Sequence, residues 1–399
     1  MSRKILLLFV SICLSGIYSC NDWLDVEPDD EMLEEKLFSS GEGFRTALNG
    51  VYKQMASQEL YGMHFTWGLL DAMGQYYDPY KIEEGVFSFA TTFTFDHYDV
   101  KPYVETFWEM GYNTVANCNN ILNKVEKADP DIFYLGEQER QLIWGEALAL
   151  RAFIQLDLVR FFAPSPAMGT TEKVMPYKKE YPSRVSPKLT VAECLGHIIK
   201  DLSDAKEKLR EYDSELDMSV TPRFKSGSGE RRFLVSRGYR MNYHAISALL
   251  ARAYMHAGMH GEAYAEAKTL LEMQEETGYF GFPRKYNVET EKNIKMINDI
   301  ICGLYVAKLT EWDAETYKDG GSMGTYYLAM QNLDSYFDDD ERATDYRYRF
   351  QLEELKDDYG WESDYLLRKN STPSVLNDYT RTGAIVVPLV RMSEIYYIA

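Results

Sequence analysis

The chain has 399 residues, 45% of them hydrophobic, enough to bury a large core in one or two domains, so disorder is not the expected state. It carries 62 acidic against 43 basic side chains, a formal charge of −19, and such a surface repels a phosphate backbone, which argues against nucleic acid as a partner. Five cysteines occur without a C-x-x-C or a histidine at zinc-ligand spacing, so no zinc site, metal or cofactor is expected. After Cys13 and Cys20 an odd number remains, which predicts mainly buried free thiols.

Residues 1–19 open with Arg3 and Lys4, continue with an apolar run over 5–14 and end in small or polar residues, the layout of a secretory signal. The run is too short for a permanent membrane span. Ile17-Tyr18-Ser19-Cys20 places an aliphatic residue, then a small one, then cysteine, and resembles a bacterial lipobox. Cys20 is then the lipidated N-terminus of the mature protein, held in a membrane by acyl chains at about 0.8 kcal/mol per buried CH₂. The acidic stretch that follows, residues 20–38, has no helical periodicity and reads as a tether.

From Ser39 the pattern turns to period 3.6, with Phe44, Leu48, Val51, Tyr52 and Met55 on one face and Ser39 and Glu42 at capping-box spacing. Residues 58–101 lose that period and read as a long loop region, which in a compact domain is usually functional or mobile. Helices are predicted over 103–127 and 136–162, joined by a short turn and so antiparallel, and over 190–212, opened by Thr190 and Glu193. Residues 219–239, rich in Gly, Ser and Arg, read as an exposed loop.

Two heptapeptides echo each other. Residues 147–153 and 248–254 share the frame A-L-x-x-R-A-aromatic, and Leu250, Ala251, Tyr254, Gly258 and Ala263 keep the spacing of a tetratricopeptide repeat. With a partner helix over 262–272, this predicts stacked helix pairs, a mainly α fold. Residues 278–387 have poor periodicity and read as an insertion, the kind of segment that builds a binding face on repeats. The chain ends with an apolar helix start at Arg391, so a last helix pair is expected to be incomplete.

Several segments in this order resemble the SusD/RagB family of outer-membrane nutrient-binding lipoproteins. They are Cys20-Asn21-Asp22-Trp23-Leu24-Asp25-Val26-Glu27-Pro28, Ala47-Leu48-Asn49-Gly50-Val51-Tyr52 and Ala116-Asn117-Cys118-Asn119-Asn120-Ile121-Leu122, followed by Gly145-Glu146-Ala147 leading into Leu150-Arg151-Ala152-Phe153. Residues 248–254 and 388–396 complete the set. The resemblance implies one domain over 39–399, with tetratricopeptide-like helix pairs supporting a loop-rich half that binds nutrient oligomers, usually glycans and in some members peptides. It also implies a SusC-like TonB-dependent transporter as partner and a lipid-anchored place in the outer membrane, exposed at the cell surface. A lipid-anchored scaffold that binds only protein is the alternative from another class.

Sugar rings bind flat aromatic faces flanked by polar groups, so loop aromatics are the candidates: Tyr76, Tyr77 and Tyr80 beside Gln75 and Asp78, and Trp312 and Tyr317 beside Glu311, Asp313 and Lys318. Trp108 and Trp144 fall on helical faces and are assigned to packing. No catalytic signature stands out. His256 and His260 are four apart but lack a completing carboxylate, residues 338–341 lack the alternation of a calcium loop, and the glycines near 227 lack the lysine of a phosphate loop.

Overall fold

A computed structural model describes residues 29–78, 85–224, 233–316, 333–334, 336–356, 363–371 and 377–399, so Cys20 and the expected leader lie outside the described residues. Helix α1 (Asp29–Leu37) occupies much of the stretch expected as a non-helical tether. Lys36 in its last turn suits the helix dipole, a signal that apolar periodicity does not carry. Helix α2 (Gly41–Met55) follows, capped by Ser40, whose hydroxyl accepts from Gly43 N–H at 3.2 Å; the cap falls one residue after the expected Ser39. The region expected as loop holds two short helices, α3 (Leu69–Met73) and α4 (Val86–Thr91), within a run of turns.

The frame is built from α5 (Lys101–Val125), α6 (Glu137–Phe162), α7 (Val191–Asp213), α9 (Tyr243–His256) and α10 (His260–Thr277), with the short α8 (Val220–Phe224) between α7 and α9. Helix α6 is buried on nearly every side, from Leu142 and Ile143 through Leu156 and Val159, and it is accordingly the central helix, with α2, α5 and α7 packed around it. Two glycines let its neighbours approach. A Cβ at Gly111 of α5 would lie 3.0 Å from Leu158 Cδ2, and one at Gly145 would lie 1.9 Å from Leu209 Cδ1 of α7. The capping box that opens α7 is formed, with Glu193 N–H donating to Thr190 Oγ1 at 3.2 Å and Thr190 N–H to Glu193 Oε2 at 2.8 Å. Gly258 turns α9 into α10 with a φ of +74°, the left-handed region that favours glycine.

After α10 come α11 (Lys285–Glu289), α12 (Leu309–Thr316), α13 (Asp339–Arg342), α14 (Tyr346–Gln351), α15 (Asp378–Gly383) and α16 (Met392–Ile398). Among the described residues there are three small antiparallel pairings: β1 (Met175–Pro176) with β2 (Lys188–Leu189), between α6 and α7, and, after α10, β3 (Ile300–Tyr305) with β6 (Val386–Arg391) and β4 (Leu352–Lys356) with β5 (Ser363–Leu367). Strand β6 leads directly into α16, which packs on α9 and α10.

The echoed arginines do the same work in both copies. Arg151 reaches from α6 to Asp201 on α7, Nε to Oδ2 at 2.6 Å and Nη2 to Oδ1 at 2.8 Å. Arg252 reaches from α9 to Glu394 on α16, Nε to Oε1 at 2.6 Å, and to the Leu389 carbonyl at 3.1 Å. Each is a fork that fixes one helix against the next along the stack.

The segment expected as an exposed loop before α9 is interior at Arg223 and Arg237. Arg223 donates to the carbonyls of Met218, Tyr279, Ile297 and Asn298, and burial without a contacting carboxylate lowers its pKa to about 9. Arg237 lies between Asp213 and Glu146, with Nε on Asp213 Oδ1 at 2.9 Å and Nη1 on Glu146 Oε1. Glu146 also accepts from Tyr52 of α2 at 2.8 Å and from Arg240 at 3.2 Å, so one buried carboxylate joins three parts of the frame. Composition suggested solvent; satisfied hydrogen bonds allow the opposite. Cys118, Cys194 and Cys302 are buried free thiols, as expected.

Candidate ligand-binding cavity

A cavity of about 1200 Å³ opens between the helical frame and the 278–387 insertion. Its floor is the C-terminal half of α6 (Phe153, Asp157, Arg160, Phe161) with Arg252 and His256 of α9, and its walls come from residues 61–76 and from the chain around 282–299, 336–352, 367–370 and 387–397. Both segments read as loop-rich in the sequence therefore meet at one site.

Tyr76 stands on that wall, 39% exposed. Its ring stacks on Tyr336, itself 37% exposed, with centroids 5.7 Å apart and planes 16° from parallel. Lys369 Nζ lies 5.5 Å from the Tyr76 ring centroid and pairs with the carboxylate of Asp71. Burial raises the pKa of Asp71, with Lys369 offsetting part of that, and burial together with Asp71 raises that of the Tyr76 phenol. The adjacent Tyr77 goes the other way. It is 1% exposed, and its hydroxyl donates to the Trp67 carbonyl at 2.8 Å, so the ring expected to meet ligand is a core residue. The turn just before the two tyrosines is local: Gln75 has a φ of +63°, and its side chain bonds the Thr91 carbonyl at 2.8 Å.

Trp312 also departs from expectation, since α12 packs it against the main core and it does not line the cavity. Tyr80 and Tyr317 lie outside the described residues. Trp108 and Trp144 pack against the core, as expected. Sequence reading missed Tyr336, Tyr346 and Arg347; the alternation of aromatic and basic residues over 346–350 was the available signal.

The charged groups that line the cavity come in pairs. Arg160 Nη1 meets Asp157 Oδ1 at 3.0 Å, Arg391 Nη1 meets Asp299 Oδ2 at 3.2 Å, and Arg252 holds Glu394. Arg347 Nη2 meets Asp345 Oδ2 at 2.6 Å; burial works against the carboxylate, but the bonds from the Arg347 side chain and backbone hold its pKa below the usual range. Lys295 is buried at the cavity edge and donates to the Val386 carbonyl at 3.1 Å. Burial, aided by Arg391 and opposed by Asp313, lowers its pKa to about 7. Among the described residues no cluster of histidine, cysteine and carboxylate is placed to hold a metal, and no helix is long and apolar enough to cross a membrane.

Residues 22–226, just over half of the 399, match the model of a family described as starch-binding and associating with the outer membrane, SusD-like. The chain belongs to this SusD-like family. A SusD-like protein of Formosa agariphila is 24% identical over 211 residues, covering 53% of this chain and 38% of that protein, so the chain spans about two fifths of the curated relative it matches. Among solved structures, a SusD superfamily protein of Bacteroides thetaiotaomicron superposes with a TM-score of 0.64 at 18% identity, over 90% of this chain and 75% of the other. A SusD-like carbohydrate-binding protein of Bacteroides vulgatus gives 0.63 at 18% identity, over 90% of this chain and 70% of the other. These likenesses establish the helical-repeat fold of the family.

Proposed function

We propose that the chain is a non-catalytic nutrient-capture lipoprotein of the outer membrane that binds oligosaccharide in this cavity. It delivers the ligand to a SusC-like TonB-dependent transporter and is held at the cell surface by acyl chains on Cys20. The observation that carries the binding role is the Tyr76–Tyr336 stack: two half-exposed rings from segments far apart in sequence, set in a wall of side chains that donate and accept hydrogen bonds. Such a surface offers an apolar face to the C–H side of a pyranose and polar partners to its hydroxyls.

A peptide added as a strand is the weaker reading. Pro388 of β6 has no N–H, and the carbonyls of Val386 and Leu389 are occupied by Lys295 and Arg252, so the strand that borders the cavity has little main chain left to pair. Hydrolysis is disfavoured because it needs a carboxylic acid kept protonated at the scissile bond, whereas Asp157, Asp299, Asp345 and Glu394 are each held by a guanidinium.

Calorimetric titration with maltohexaose, cellohexaose, mannohexaose and xylohexaose tests the site. Tyr76→Ala and Tyr336→Ala should each weaken the oligosaccharide that binds by about tenfold, or 1.4 kcal/mol. Undiminished binding in the double variant would remove the cavity from consideration. The anchor is tested separately: Cys20→Ala should abolish incorporation of labelled fatty acid and release the protein from membranes.

A further inference from the structure

The way the cavity pairs off its charges decides which glycans it admits. Four guanidiniums that line it, those of Arg160, Arg252, Arg347 and Arg391, each face a carboxylate. They differ in access. The Arg347 side chain is 56% exposed, against 14–46% for the other three. It also lines the cavity together with Tyr76 and Tyr336, and its guanidinium carbon lies 5.2 Å from the Phe337 ring centroid, one residue beyond Tyr336. A free guanidinium there would be the natural fork for a sugar carboxylate or sulfate.

Asp345 neutralises that charge and takes up one edge of the fork. It accepts Arg347 Nε at 3.2 Å on each oxygen and Nη2 at 2.6 Å on Oδ2. The same carboxylate caps α14, accepting Arg347 N–H at 2.7 Å, so its place is set by the helix and does not wait for a ligand.

We propose that Asp345 is a specificity residue: by holding the exposed Arg347 of the cavity wall, it keeps acidic sugars out and leaves the cavity selective for uncharged oligosaccharides. The inference rests on the cavity being a glycan site. The chain's formal charge of −19 acts in the same direction, since an approaching polyanion meets a like-charged surface.

The test compares the wild-type chain with Asp345→Asn, which keeps a capping side chain while removing the charge. Titrations use the four neutral hexaoses named above, an oligogalacturonate and a sulfated carrageenan oligosaccharide at matched length and salt, and the quantity read is the ratio of neutral to acidic affinity. The wild type should favour a neutral oligosaccharide by about tenfold or more, and Asp345→Asn should move the ratio by about tenfold toward the acidic ligands. Adding Arg347→Gln to Asp345→Asn should reverse that shift, which a merely structural effect of the first substitution would not do. A wild type that prefers acidic ligands, or a ratio unmoved by Asp345→Asn, overturns the inference while leaving the glycan site intact. A chain that binds no oligosaccharide of either kind brings down the glycan site, and the inference with it.

Discussion

Replacing Arg237 with methionine removes the cation that Asp213 and Glu146 share while keeping most of the side-chain volume. Both carboxylates are buried, and they do not suffer equally. Glu146 retains Arg240 at 3.2 Å and the Tyr52 hydroxyl at 2.8 Å, whereas Asp213, among the described residues, keeps the Tyr243 N–H at 2.8 Å but no paired cation. Leaving a buried carboxylate without its counter-charge costs about 3–5 kcal/mol, and the loss is expected mainly at Asp213. Urea unfolding followed by tryptophan fluorescence at pH 7 should show it as a lowered midpoint with little change in slope.

The pH dependence has a definite sign. Burial raises the Glu146 pKa, but Arg237 and Arg240 outweigh it, so the folded value lies below the ordinary 4.5. Stability from such a group is present above the unfolded pKa and is lost as pH falls through the folded one. The gap between wild type and Arg237→Met should therefore be full at neutral pH and narrow in acid, as the carboxylates of the cluster are protonated. A gap under about 1 kcal/mol at pH 7, or one that does not narrow in acid, would refute the assignment of this cluster as a stabilising hub.

Tyr77→Phe should cost about 1 kcal/mol of stability through the lost bond to the Trp67 carbonyl, and leave glycan affinity unaltered, in contrast to Tyr76→Ala. Gly145→Ala should destabilise by about 1–3 kcal/mol through overlap with Leu209, less up to about 1 kcal/mol gained in helix propensity. Combining it with Leu209→Ala should cost less than the sum of the two, measured by thermal unfolding, because the clash is then relieved.

The helical frame was legible because period and capping chemistry agree over long segments. Thr190 and Glu193 announced α7, and the repeated A-L-x-x-R-A-aromatic frame marked the arginines that fix successive helices. Where legibility failed, the deciding interaction was remote in sequence. Nothing local distinguishes Arg223 and Arg237 from surface arginines; their acceptors lie on other segments, such as Asn298 and Glu146. The cavity shows the same limit. Loop aromatics were the right class, yet Tyr76 and Tyr77 are chemically identical neighbours, and only Tyr76 faces the cavity. Its stacking partner Tyr336 is 260 positions away, beyond any pattern read along the chain.

The two echoed arginines also differ in when they can act. Arg151 meets Asp201 fifty residues downstream, whereas Arg252 waits for Glu394, 142 residues on. The second clasp therefore closes only once the stretch from 252 to 394 has emerged in full where the chain folds. Everything that walls the cavity from the insertion side is made in that interval. The last clasp and the chamber are thus completed together, and a chain halted between residues 252 and 394 would expose an open frame with its aromatic floor uncovered.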